Sequence, residues 1–108
     1  MNFYDYQAEA VKTAIYPKRA KIYYPALGLA GEAGEVANKV KKILRDDRGQ
    51  LSETKREELF DEIGDALWYI AALCTDLGLS MDDVAKENIK KLKDRQERNT
   101  LKGDGDKR

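Results

Sequence analysis

The stretch Gly28-Leu-Ala-Gly-Glu-Ala-Gly-Glu-Val36 decides how this chain is read. It sets two carboxylates, Glu32 and Glu35, three residues apart inside a run that otherwise has the spacing of a buried helix. A second acidic pair of the same spacing, Glu62-Ile-Gly-Asp65, lies in the next long helical run, and each pair encloses a glycine, Gly34 or Gly64. With Glu32 at zero and about 100° per residue, Ile43, Val36, Leu29, Val40, Ala33 and Leu44 fall at roughly 20° to 120°, and Glu35 at about 300°. With Glu62 at zero, Leu73, Ala66, Leu59, Leu77, Ile70, Ile63, Cys74 and Leu67 fall at roughly 20° to 140°, and Asp65 again at about 300°. Each helix therefore carries its acids at the border of its apolar stripe. Carboxylates there are costly unless paired or bound to a cation, so four acids converging on one point is the reading with chemical content. The alternative is two solvated acidic edges.

Outward from these pairs, the chain reads as four helical segments with short connections. The first is expected over Asp5–Ile15, with Asn2 or Asp5 as cap, and ends before Pro17. The second runs from about Leu27 to Arg45 and ends in Lys39, Lys41, Lys42 and Arg45, which suit the negative end of its dipole. Lys39 is also a candidate phosphate contact. Thr54 with Glu57 offers a capping box for the third helix, which continues to about Leu77 with Gly78 as its C-terminal cap. Ser80, Asp82 and Asp83 open a fourth helix with a stripe of Met81, Val84, Ala85, Ile89 and Leu92. No segment has a strand pattern. The fold class is all-α, a four-helix bundle-like arrangement in one compact domain over residues 1–108, with its core at 27–95.

Composition bounds the chemistry. The 20 basic and 20 acidic residues balance, which argues against a nucleic-acid partner. No histidine is present, which removes the usual base of serine and cysteine triads, the commonest nitrogen ligand of zinc, and the Glu-x-x-His pairs of di-iron bundles. What remains is an all-oxygen site, suited to a hard cation, magnesium first and manganese as a substitute. Cys74 falls on a core face as a small hydrophobe. The N-terminus has no basic and apolar signal, and no apolar run approaches the ~18 residues of a membrane span, so the chain is expected in the cytoplasm and off the membrane.

Four further features bear on ligands and partners. The connection Tyr16–Ala26 interleaves Tyr16, Tyr23 and Tyr24 with Lys18, Arg19 and Lys21, which suits base stacking beside phosphate neutralisation, or tyrosines packed over a bundle end. Asn88 lies within the fourth stripe, with Lys91 and Arg95 at about 300° and 340° from it, placed to steady a carboxylate and reach phosphate oxygens. Trp68 lies about 240° from Glu62, away from the intrachain stripe, and suits a subunit contact, so at least a homodimer, or a homotetramer, is expected. The tail Lys102–Arg108 is expected to be mobile unless a ligand or neighbour orders it.

The ordered set Glu32-x-x-Glu35, twenty-six residues, Glu62-x-x-Asp65-Ala-Leu-Trp-Tyr69, then Asn88-Ile-Lys-Lys91-Leu resembles the MazG-type all-α nucleoside triphosphate pyrophosphohydrolases over about residues 27–95. The resemblance implies hydrolysis between the α and β phosphates of a nucleoside triphosphate, with Glu32, Glu35, Glu62 and Asp65 as magnesium ligands and a lysine and arginine on the pyrophosphate. Glu32 is the first choice for activating base, being nearest the apolar stripe, with Glu35 second. Tyr69, about 20° from Glu62, matches a family tyrosine near the site. Relatives include dUTPases and phosphoribosyl-ATP pyrophosphohydrolases, so those substrates stay open, as does a non-catalytic bundle that binds a divalent ion.

Overall fold

The computed structural model describes residues 1–108 and is all-helical: α1 (Phe3–Val11), a 3-10 turn (Lys18–Ala20), α2 (Tyr23–Asp46), α3 (Glu53–Asp76) and α4 (Met81–Glu97). The expected all-α, four-helix fold is thus what the chain adopts.

Helix ends follow local chemistry. Asn2 caps α1, its side-chain oxygen accepting from the Asp5 N–H at 2.8 Å. The α3 cap is Ser52, which accepts from the Lys55 N–H at 3.2 Å, so α3 begins two residues ahead of the Thr54–Glu57 capping box. Gly78, at φ 71°, closes α3 in a Schellman motif, with Leu79 N donating to Cys74 O at 2.8 Å and Gly78 N to Thr75 O at 3.1 Å. Asn99, at φ 58°, closes α4 the same way, with Thr100 N donating to Arg95 O. Helix α2 begins at Tyr23, well ahead of Leu27. Pro25 permits this because a first-turn residue has no intrahelical acceptor for an N–H to lose.

Contacts between α2 and α3 are the most extensive in the chain, and their register is antiparallel. Gly28 meets Tyr69, Glu32 meets Glu62 and Asp65, and Lys39 meets Glu58 at 3.7 Å. Helix α1 crosses the C-terminal half of α3. There Ala10, Ala71, Cys74 and Met81 form the buried cluster, with Tyr6, Leu67, Trp68 and Ile70 around it. Burial of the Met81 side chain contributes about 1.5–3 kcal/mol. Gln7 stitches this corner: its amide donates to Thr75 Oγ1 and Leu79 O, and its carbonyl oxygen accepts from Met81 N at 2.8 Å.

The arrangement is open. Its radius of gyration is 16.8 Å, where a closed domain of this length has about 13 Å. Only 8 of 108 residues are buried, so much of the apolar stripe read from the sequence has no intrachain cover. Leu27, Leu44, Phe60 and Ile63 are each at least 60% exposed. Helix α4 packs on α1 and the end of α3, which leaves Val84, Ile89 and Asn88 in water. The expected core position of Asn88 is therefore corrected: its face of α4 has no cover within this chain and Asn88 is exposed. Trp68 is corrected in the opposite sense. Its indole N–H donates to Thr13 Oγ1 at 2.7 Å and its ring packs on the buried cluster, because α1 covers the face that periodicity left free. No helix is long and apolar enough to cross a membrane.

Candidate metal centre

Glu32, Glu62 and Asp65 each bring a carboxylate oxygen within 4.8 Å of the others. The antiparallel register of α2 and α3 produces this, since each pair sits near the middle of its helix and the two helices run level there. None of the three forms an ion pair, although Lys39 on the same helix is paired with Glu58. Glu32 Oε2 is out of water with no hydrogen-bond donor. The Glu32 carboxyl is pushed up to about 7. The largest cause is a proton shared toward the Glu62 carboxyl, followed by loss of water and the negative charges of Glu62, Asp65 and Glu35. Repelling carboxylates with an orphaned buried oxygen fit a hard divalent cation, which such an oxygen set prefers.

Glu35 stands apart. It is exposed and outside the three-acid cluster, though close enough for its charge to act on Glu32. By register it is level with Glu62, so its backbone position suits a fourth ligand while its side chain faces water. Gly34 and Gly64 meet nothing within 4 Å of an added Cβ, so intrachain packing does not require them. Gly28 is different, because a Cβ there would overlap the Tyr69 ring. That close approach seats Tyr69 beside the acids. Its phenol is raised first by burial, then by Tyr24, Glu32 and Asp65.

The aromatic residues form a chain leading away from the acids. Trp68 meets Tyr69 edge-on at 5.2 Å, Tyr69 meets Tyr24 at 6.2 Å, and Tyr24 stacks on Tyr16 at 4.8 Å. Tyr24 is thus brought to the site, whereas Tyr23 on the same first turn of α2 is 72% exposed and touches none of these rings. Tyr6 was not singled out by sequence, yet its phenol feels Asp65 after burial, its first cause of a raised pKa. The signal that could have found it is its place on the inner face of α1, one turn before Ala10.

The candidate cations lie elsewhere. Lys91 donates to Asp106 Oδ1 at 2.7 Å, and Arg95, whose side chain is buried, donates to the Asp106 carbonyl and carboxylate. Neither pairs with the acids, and the tail expected to be mobile is folded back here, held also by Arg108 donating to the carbonyls of Thr100, Leu101 and Gly105.

The sequence profile of the MazG nucleotide pyrophosphohydrolase domain matches residues 25–100. The Gene 37 protein of Mycobacterium phage L5 is 43% identical over 109 residues, covering 95% of this chain and 96% of that protein, and its name states no activity. No solved structure matches. The acidic α2–α3 pair at the centre of the fold lies within the matched span, and the chain belongs to the MazG nucleotide pyrophosphohydrolase family.

Proposed function

We propose that this chain hydrolyses a nucleoside triphosphate to the monophosphate and pyrophosphate, with Glu32, Glu62 and Asp65 holding a divalent cation and Glu35 joining them on binding. The observation that carries the reading is the convergence of three unpaired carboxylates with one oxygen of Glu32 withdrawn from water and lacking a donor. A hard cation there, magnesium first and manganese as a substitute, would supply charge withdrawal from the polyphosphate and a lower pKa for the attacking water.

The chain's own groups divide the remaining work. Glu32 takes the proton of the water whose oxygen attacks the α-phosphorus, and the bond from that phosphorus to the β-bridging oxygen breaks, releasing pyrophosphate. Glu35 is the second choice for that proton. Tyr24 and Tyr69 offer aromatic surface for the nucleoside, with Tyr23 at the rim, and Lys39, Asn88, Lys91 and Arg95 are the remaining polar groups assigned to substrate. A second copy of the chain is assigned to the exposed apolar surface of Leu27, Leu44, Phe60 and Ile63, giving a homodimer or homotetramer.

A panel of nucleoside triphosphates, assayed for pyrophosphate with and without magnesium, tests the reaction. Pyrophosphate with the monophosphate is the expected product. Orthophosphate with a diphosphate as first product would overturn the bond assignment, and cation binding without turnover on any triphosphate would make the acids a purely structural ion site.

A further inference from the structure

The aromatic chain beside the acids is anchored at its far end by one carboxylate. Asp76 Oδ2 accepts from the Tyr16 hydroxyl at 2.7 Å and from the Ile22 backbone N–H at 2.9 Å. A single oxygen thereby fixes the residue before Pro17 and the residue that opens α2. Ile22 has φ 72° and ψ −53°, a region a β-branched side chain avoids, so its conformation persists only while its surroundings hold it. Asp76 is the last residue of α3, where the helix dipole disfavours a negative charge, while its partner Ile22 stands at the positive start of α2. It makes no ion pair. The carboxylate is retained at an adverse helix end and spends its hydrogen bonds on the connection that carries Tyr16 and Tyr24.

We infer that Asp76 is a positioning residue for nucleoside selection: it holds Tyr16, and through the Tyr16–Tyr24 stack it sets the aromatic surface next to Tyr69 and the acid cluster. The polyphosphate, met by the acids and cations, does not depend on it. Tyr16 supports this order of action. Its phenol is pushed up to about 12, first by burial and then by the hydrogen bond and charge of Asp76, so it stays a neutral donor to Asp76 throughout the working pH range. An apolar residue at position 76 would fill space equally well but would fix neither Tyr16 nor the Ile22 N–H. This inference rests on the proposed triphosphate reaction.

The test uses the full chain with Asp76→Asn, Asp76→Ala and Tyr16→Phe. Binding is measured with magnesium for two probes, an α,β-methylene nucleoside triphosphate and inorganic tripolyphosphate, alongside KM and kcat on the triphosphate panel. The expected result is about five- to tenfold weaker binding of the nucleotide analogue, a fraction of what base stacking supplies. Tripolyphosphate binding should be unchanged, KM raised, kcat within about twofold, and preference among bases flattened. Tyr16→Phe removes one hydroxyl and leaves the ring, so it carries the test should the Asp76 variants not fold. The split between the two probes is the readout that simple loosening would not give. Ultraviolet titration adds a check on the contact, since the tyrosine ionising near 12 should fall only part of the way in Asp76→Ala while its burial is kept. Equal losses for both probes, a fall in kcat at constant KM, or unaltered nucleotide binding would each overturn the role of Asp76. Wild-type chain that binds tripolyphosphate and the analogue equally, or neither, would sink the nucleotide reading along with it.

Discussion

The acids and the cations of the candidate site are built by opposite rules. Glu32, Glu62 and Asp65 come from two long helices in close antiparallel contact, and they meet with no positive side chain among them. Lys91 and Arg95 sit on α4, which packs mainly on α1 and α3, and the chain's own Asp106 already answers their charge. Folding alone would reverse this, since like charges repel and opposite charges attract. The chain leaves repulsion unrelieved in its best-packed pair of helices and neutralises the cations with its least regular segment. The fold thus leaves its acid cluster unneutralised and neutralises its α4 cations itself; on the proposed reaction the first is held ready for a ligand, and the second must exchange Asp106 for one.

The largest effect should come from breaking the acid side. Glu32→Gln or Asp65→Asn should lower kcat by about 10²–10³-fold or more, at least the scale of removing one preorganised electrostatic group from a reacting centre. Glu35→Gln should cost a comparable factor, because Glu35 lies outside the cluster without a cation but joins it on binding in the proposed reaction. A loss of only about tenfold would show that it acts by charge from outside. Steady-state assays at saturating magnesium decide this. Equal losses at Glu35 and Glu32 would show that the liganded cluster closes around all four acids.

Next in size is Gly28→Ala. The new Cβ would overlap the Tyr69 ring, and overpacking of that kind costs about 1–3 kcal/mol. A melting midpoint lower by about 4–8 °C per kcal/mol is expected. Gly34→Ala, facing open space in the middle of α2, should raise the midpoint through a helix-propensity gain of about 0.5–1 kcal/mol, and the opposite signs separate packing near the acids from the acids themselves.

The acid cluster of α2 and α3 is legible in the sequence, and the partners of the α4 cations are not. Spacing alone puts Glu32 and Glu62 at the edges of two apolar stripes, and two helices with a short turn must run antiparallel, so the acids meet wherever the register is level. Helical angle says nothing about which neighbour covers a face. Trp68 therefore reads as free of intrachain cover when α1 and Thr13 cover it, and Asn88 reads as a core residue when α4 enters the buried cluster at Met81 and leaves Asn88 exposed. Nor does periodicity report rotamers, which is why Glu35 shares the spacing of the cluster and not its place. Pro25 reads as part of a connection, but its tolerance in a first turn lets α2 begin at Tyr23 and carries Tyr24 onto Tyr16. Gln7 and Asp76 left no sequence signal, because a polar residue that bonds to backbone groups remote in sequence looks like any surface residue.

A smaller effect should appear in stability against pH without a cation. The Glu32 carboxyl rises from 4.5 to about 7 on folding, so between those values the folded chain holds a proton that the unfolded chain has released. Stability should therefore fall as pH rises from about 4.5 to about 7, and the loss should persist above it. The titration belongs to the Glu32–Glu62 pair jointly. At pH 8 Glu32→Gln should melt higher than wild type, by a shift of about 4–8 °C if the relief is about 1 kcal/mol. Magnesium should raise the wild-type midpoint and close that gap. A wild-type melt that is flat from pH 5 to 8 would mean the acids are not strained against one another.

The smallest effect should come from the cation side, at Asp106→Asn. Asp106 is exposed, and an exposed ion pair of the kind it makes with Lys91 adds little to stability in salt. Arg95 is the group at risk, since a buried guanidinium needs a partner. Its bond to the Asp106 backbone carbonyl survives the substitution, however, and only the longer contact at 3.3 Å to the carboxylate is weakened. The melting midpoint should therefore stay within about 1 °C of wild type. What should change is the response to anions. With no carboxylate competing for Lys91 and Arg95, added pyrophosphate should raise the variant's midpoint more than the wild type's, by preferential binding to the folded chain. A large drop in the midpoint, with no gain in anion protection, would show that the Asp106 carboxylate is a structural partner of Arg95, and that α4 keeps its cations permanently engaged.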